Sequence, residues 1–312
     1  TISFGELGVD GYGPNVNVPI KESDSWPEFA RSNIYYDATS EVETLTFSEE
    51  EDGKNLYQGL YFKYGSLIGV SAGANSAPFN GDAYLFIPDV LTGKYTKIQI
   101  SQIAGHVSTT DAVGIFKAVL VGKGITWGTS SYTDIWNALP YVMDGDVPAN
   151  GSGRDENGLT VNSNATLYAQ YKGDICKFMS DNPSSSGLSG KWRLPVSSEF
   201  GPNPDTGYYT RSTNWDGSFS NITENGTGTM AVDYSFYTFS RVLTGTDEPS
   251  FPASGNRLNT GNLSNTGSFG GYRPSSAYYG TNAFNLTFTS SNVYPHGNLE
   301  RTLGFSTRCV RE

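Results

Sequence analysis

The sequence predicts an α+β fold with short helices, irregular antiparallel sheets and long loops. Three observations carry that prediction. The 312 residues include 37 Gly, and only 16% are charged. Aromatic residues make up 13%, with 20 Tyr and 17 Phe. Apolar residues fall in short runs broken by Gly, Asn, Ser and Pro, rather than in long helical stripes. Strong helix formers are scarce in such a chain, and aromatic residues suit a pleated, half-buried surface. The length suffices to bury a full core without a metal or disulfide.

The elements follow in order. Residues 1–25 are rich in Gly, Pro and Asn and read as an N-terminal extension or linker. Trp26 to Asp37 reads as ordered, a short helix or strand. Leu56 to Val70 (LYQGLYFKYGSLIGV) reads as two strands, because Tyr, Phe, Leu and Ile are punctuated by Gly. Ala83 to Pro88 and Tyr95 to Ile100 are further strands. Ala112 to Val121 (AVGIFKAVLV) is apolar and fits either a helix or a buried strand. Ser131 to Met143 opens a helix that Pro140 ends. Residues 144–163 are a long polar loop dividing the chain. Beyond it, Asn164 can cap a helix carrying Leu167, Tyr171, Ile175 and Phe178. Gly173 interrupts that helix, so Asp174 caps a second, shorter one bearing Cys176. The last 120 or so residues read as strands and Gly/Asn/Ser turns.

The formal net charge of −11 argues against nucleic acid, whose recognition rests on basic patches. It argues equally against an anionic membrane surface. No apolar stretch is long enough to span a bilayer. Cys176 and Cys309 are the two cysteines, which permits one disulfide or two unrelated buried thiols.

With His106 and His296 as the only histidines, a His-rich zinc or iron site is disfavoured, and any Ser-His-Asp machine must use one of them. Gly69-Val70-Ser71-Ala72-Gly73 matches the G-x-S-x-G nucleophile elbow, which requires a helix after Ser. ANSAPFNGD follows instead, so Ser71 reads as part of a Gly-rich turn. Asp144, Asp146, Asp155, Glu156 and Asn157 form one acidic and amide cluster; Asn214, Asp216, Asn221 and Glu224 form another. Calcium takes six to eight such oxygens, but neither run has EF-hand spacing, and both read as solvated loops. No cofactor is expected, calcium being the one ion these loops would suit. Tyr208, Tyr209, Trp215, Tyr272, Tyr278 and Tyr279 lie among Gly, Asn, Ser and Arg, with Asp216 and Arg273 beside them. Such rings either pack under long loops or contact a sugar or protein ligand. Asn164, Asn221, Asn225, Asn262 and Asn285 head N-x-S/T sequons, which matter only in a glycosylating host.

One stretch is distinctive. Gly190-Lys191-Trp192-Arg193-Leu194-Pro195, then Ser197-Ser198-Glu199-Phe200, resembles the G-x-W-R-L-P-T-x-x-E-[FW] signature of the Fibrobacter succinogenes major paralogous domain family, known from surface and fimbrillin-associated proteins of gut bacteria. Phe251 to Gly255, Gly267 to Ser276, Ala283 to Phe288 and Gly304 to Arg311 resemble that family's later blocks, in order. The likeness covers 26–312, with an insertion around 71–165. It implies a C-type-lectin-like domain whose first and last strands pair. It also implies a Cys176–Cys309 bridge, since C-type lectins commonly tie the first helix to the last strand. The sequence departs from its relatives in three places. Arg273-Pro274 stands where the family has Trp. The Glu-Pro-Asn sugar motif is absent. The paired reactive cysteines of the formylglycine-generating relatives are missing too.

The expected function is therefore a noncatalytic cell-surface binding module, adhesin-like, recognising a glycan or a host or surface protein. A structural subunit of a pilus tip or similar appendage is the alternative, with other pilus subunits as partners. A hydrolase using Ser71 is a third. The expected location is extracellular or on the outer cell surface, as a secreted protein or lipoprotein, with export by a signal sequence not present in this chain.

Overall fold

The computed structural model describes residues 28–38, 44–50, 54, 57–73, 77–146, 159, 167–200, 251–289 and 293–312, and, by backbone alone, the strands within 209–250. The 1–25 linker, Asp155, Glu156 and Asn157 lie outside the described residues.

The fold is α+β and sheet-rich. Its centre is an eight-stranded sheet in the order Val293–Glu300, Asn282–Thr289, Phe269–Tyr272, Phe305–Ser306, Tyr61–Phe62, Gly69–Val70, Tyr84–Pro88 and Tyr95–Gln99. Neighbours are antiparallel except Phe269–Tyr272 and Phe305–Ser306, which meet in parallel. The expected runs 56–70, 83–88 and 95–100 all supply strands to it. In Tyr84–Pro88, Leu85 and Ile87 join one core cluster and Phe86 joins another. Successive side chains leave a strand on opposite faces, so this sheet is covered on both.

Three helices cover one face or flank it. Short α1 is Ile100–Ile103. Helix α2 is Ala112–Val121, which settles the ambiguity of that run. Val113, Phe116, Val119 and Leu120 recur at helical spacing on its buried side. Asp111 supplies the start signal: its carboxylate accepts the Gly114 N–H at 2.8 Å. Helix α3 is Tyr132–Ala138, with a reciprocal Ser131–Asp134 capping box and Pro140 just past its end. Ile135 and Trp136 face the core.

The expected helix carrying Leu167 to Phe178 is interrupted at Gly173 as expected: Tyr171 packs with α2 and α3, while Ile175, Cys176 and Met179 pack on the other face. Only a 3₁₀ turn forms at Ala169–Tyr171, followed by α4 at Ile175–Asp181 and α5 at Pro183–Ser186. The break has a hydrogen-bond cause. Gly173 N–H donates to Gly65 at 2.8 Å and Leu67 N–H donates to Tyr171 at 2.9 Å, so the chain spends these groups on the sheet. Asp174 caps α4 as expected. Its two oxygens accept the N–H groups of Lys177 and Leu194, at 3.0 and 2.8 Å. Burial nonetheless raises its carboxyl to about 6.

The described ends of the chain meet. Ala30 N–H donates to Cys309, Ile34 N–H to Thr307 and Arg311 N–H to Glu28. Val310–Arg311 also pairs with Trp192–Arg193. Cys176 on α4 is bonded to Cys309, both fully buried, with Cα atoms 5.7 Å apart. The distinctive sequence blocks thus dock on one another. Arg193 and Glu199 form a two-pronged ion pair at 2.7 Å, and Glu199 also accepts the Val196 N–H. Ser275 N–H donates to Pro195, and Ser197 N–H to the Ser276 hydroxyl. Gly270 and Gly271 are required by close approach. A Cβ there would lie 2.0 Å from the Phe288 ring and 2.2 Å from the Phe305 ring.

Four arginines, 257, 273, 301 and 308, are buried. Each donates to backbone carbonyls and lies against an aromatic ring: Tyr61, Phe305, Tyr64 and Phe251 respectively. Arg257 and Arg308 hold carbonyls outside the named strands, whereas Arg273 holds carbonyls at one end of the Asn282–Thr289 and Val293–Glu300 pair.

Candidate functional site

The described members of the expected ligand set divide between core and surface. Tyr272 is fully buried, its hydroxyl donating to Pro252 at 2.7 Å beneath Phe251 and Phe288. Arg273 is buried too, held by the carbonyls of Ala283, Leu299 and Glu300. Both are core residues, which corrects the expectation that they meet a ligand. The reason lies in strand alternation: Tyr272 ends Phe269–Tyr272 with its ring inward, and the guanidinium of Arg273 takes up carbonyls at the adjoining hairpin. Tyr278 is half-buried against Phe284 at 5.0 Å. Tyr279 is 68% exposed and remains available to a ligand. Tyr208, Trp215 and Asp216 lie outside the described residues, and Tyr209 is described by its backbone in a strand.

The Ser71 site is structural. Ser71 is buried, its hydroxyl accepts the Tyr84 N–H at 3.0 Å, and its carbonyl is held by Arg257. Ala72 and Gly73 after it are irregular, not helical. His106 sits 2.9 Å from the helix-capping Asp111. The Gly114 N–H first, then His106 and Ser108, hold that carboxyl below the usual range. Among the acidic cluster, Asp146 pairs with Lys172 at 2.6 Å and Asp144 lies 3.7 Å from Arg301. Among the described residues no three His, Cys, Asp or Glu side chains come together as a metal site would need. Asn285 is fully buried, so its sequon is closed to a glycan in the folded chain, whereas Asn262 is exposed.

What the fold does assemble is an open groove of about 480 Å³ beside α3. It is lined by Lys123, Ser130, Asp134, Asn137, Tyr141 and Tyr168, with Met143 at its margin. Its volume is in the range of small-molecule sites. Three devices set its shape. The turn after α2 carries Lys123; Gly124, with φ +91, lets the chain reverse there. Helix α3 carries Asp134 and Asn137 three residues apart, hence on one side. Pro140 ends the helix and delivers Tyr141. Tyr168, on the far side of the polar loop, reaches back to the carbonyls of Ala138 and Leu139 at 3.3 and 3.4 Å. Its ring has the ammonium groups of Lys123 and Lys172 at 4.2 and 5.1 Å. Burial raises the hydroxyls of both Tyr141 and Tyr168.

Behind Tyr141 lies Lys63, buried without an acidic partner among the described residues. Its ammonium donates to Trp136 at 2.6 Å and stands 4.9 Å from the rings of Trp136 and Tyr141. Burial pushes it down to about 7. A lysine whose folded value lies below its unfolded value of 10.5 costs stability wherever the unfolded chain holds the proton and the fold resists it. Stability from this group therefore rises with pH above about 7, by about 1 kcal/mol per unit. Urea unfolding from pH 7 to 9 is expected to show that rise. Lys63→Met is expected to flatten it and to be more stable at pH 7.

Sequence reading did not single out the groove. Tyr141 follows the Pro140 that ends the expected helix, Tyr168 lies off the face marked by Leu167 and Tyr171, and Lys123 and Asn137 carry no motif. The one signal was the density of Tyr and Asn on both sides of the polar loop. No family model, no curated protein and no solved structure significantly matches the chain.

Proposed function

We propose that the protein is a noncatalytic cell-surface binding module of the C-type-lectin-like class, adhesin-like, whose ligand is a glycan or a surface protein. The observation that carries this reading is the open groove beside α3, where ring edges, an amide and charged groups converge on a braced frame. The motif likeness supports the class, as do the helix-to-last-strand disulfide and the pairing of residues 28–34 with 307–311. A bridge between buried cysteines fits an oxidising, extracellular setting. Ser71 is engaged in backbone bonds, so the hydrolase alternative has no observation behind it. The appendage-subunit alternative would draw on strand addition at a sheet edge, such as Val293–Glu300 or Tyr95–Gln99.

The test is binding of the whole chain to glycan and surface-protein arrays, repeated with Tyr141→Ala. Wild-type binding that falls about tenfold or more in the variant is expected. Binding unaffected by the variant would move the site away from the groove. Absence of any binding on both arrays would end the reading.

A further inference from the structure

Resting on that reading, we propose that the groove beside α3 binds a neutral pyranose directly through neighbouring hydroxyls, with no bridging metal ion. A sugar hydroxyl both donates and accepts, so a pair of them needs donor and acceptor groups side by side. The groove offers that set. Lys123 supplies an ammonium, a donor only, with no acidic partner among the described residues. Asp134 supplies an acceptor: Oδ2 is taken by Ser131 in the capping box, while Oδ1 makes no hydrogen bond among the described residues. Asn137, one helical step away, supplies both kinds, and its exposed amide is also unbonded among the described residues. The hydroxyl of Tyr141 adds a further donor and acceptor, and its ring offers an apolar surface for the C–H face of a pyranose.

Charge decides between sugar classes. One ammonium without an acidic partner among the described residues and one carboxylate line the same space, so the lining has no net charge to attract a uronic acid. Lys172 does not alter this, because Asp146 neutralises it at 2.6 Å. A carboxylated sugar would meet Asp134 as a like charge, which costs binding. A neutral sugar uses both charged groups as strong hydrogen-bond partners.

The test is titration of the whole chain, in chelator, with galactose, glucose, mannose, lactose and glucuronic acid. Deoxy analogues lacking one of two neighbouring hydroxyls follow for whichever sugar binds. Lys123→Met and Asn137→Ala are the variants, both at exposed positions. Thermal melts of each would confirm an intact fold. A neutral sugar is expected to bind in chelator, to lose about tenfold or more in each variant, and to lose as much on removal of one hydroxyl. Binding that needs calcium, that prefers glucuronic acid, or that survives both substitutions overturns the inference and leaves the broader reading standing. If no sugar binds but a surface protein does, and Tyr141→Ala weakens it, the inference alone falls.

Discussion

Replacing Cys176 and Cys309 together by Ala is expected to cost about 3–5 kcal/mol. The bridge closes a span of 133 residues, both sulfurs are fully buried, and no other cysteine can take over. On the chain-entropy argument a loop of that size removes about 5 kcal/mol of freedom from the unfolded chain, and measured gains run lower. The location adds to the cost. Cys309 lies between Arg308, which braces Asn33 and Ala30, and Val310, which pairs with Arg193. Cys176 lies on α4, beside the strand Trp192–Arg193. Cutting the bond frees the last strand from α4, and with it the seam at residues 28–34. Against a total stability of about 5–15 kcal/mol, that is a large share. Urea midpoints with and without reductant measure it. Wild type in reductant should fall to the midpoint of the double variant, and the variant should not respond. Equal midpoints in all four samples would mean that the seam is held by its hydrogen bonds and by Trp192 packing alone.

The bridge was legible only through the family likeness, since two cysteines in a chain of this length fix no pairing by themselves. Strands at 84–88 and 95–99 were legible because their residues alternate or run apolar between turn signals. Local caps were legible for the same reason: Ser131 and Asp174 act within three residues of themselves. Ala112–Val121 was ambiguous because an apolar run fits a helix or a buried strand, and the deciding residue, Asp111, stands outside the run. The interruption at Gly173 was legible, but the first of the two expected helices shrinks to a 3₁₀ turn because Gly65 and Leu67, about 100 residues away, claim its backbone groups. The groove was illegible for a related reason. Lys123, Asn137, Tyr141 and Tyr168 come from a turn, a helix, a post-helix segment and the far side of a loop, and only the packing of Trp136 and Tyr171 into one core brings them together. Asp134 and Asn137 put an acid and an amide on α3, where no motif marked them.

Arg257→Met is expected to destabilise the fold by about 3 kcal/mol or more, although it removes a buried charge and puts an apolar side chain in an apolar place. Arg257 is completely buried with no carboxylate beside it among the described residues, and burial lowers its guanidinium to about 10. Its value lies in geometry. Nη2 donates to Ser71 at 2.7 Å and Ala72 at 3.0 Å, Nε also reaches Ser71 at 3.2 Å, and Nη1 donates to Gly261 at 2.6 Å. Three carbonyls from two loops thus depend on one planar fork lying 5.7 Å from the Tyr61 ring. Met fills the space and leaves all three unpaired, at about 1–3 kcal/mol each if water cannot reach them. A buried ion pair can often be exchanged for apolar residues because both partners leave together; here the partners are backbone and stay. Arg257→Lys tests the geometry directly. It restores the charge but offers one nitrogen on a flexible stem, which cannot span the loop at 71–72 and the turn at Gly261. Lys is therefore expected to recover less than half of the loss, read as urea midpoints at constant slope. Full recovery by Lys would show that charge alone, rather than the fork, holds these loops. A Met variant as stable as wild type would mean that the carbonyls find water, and that the other three buried arginines also brace less than their bonds suggest.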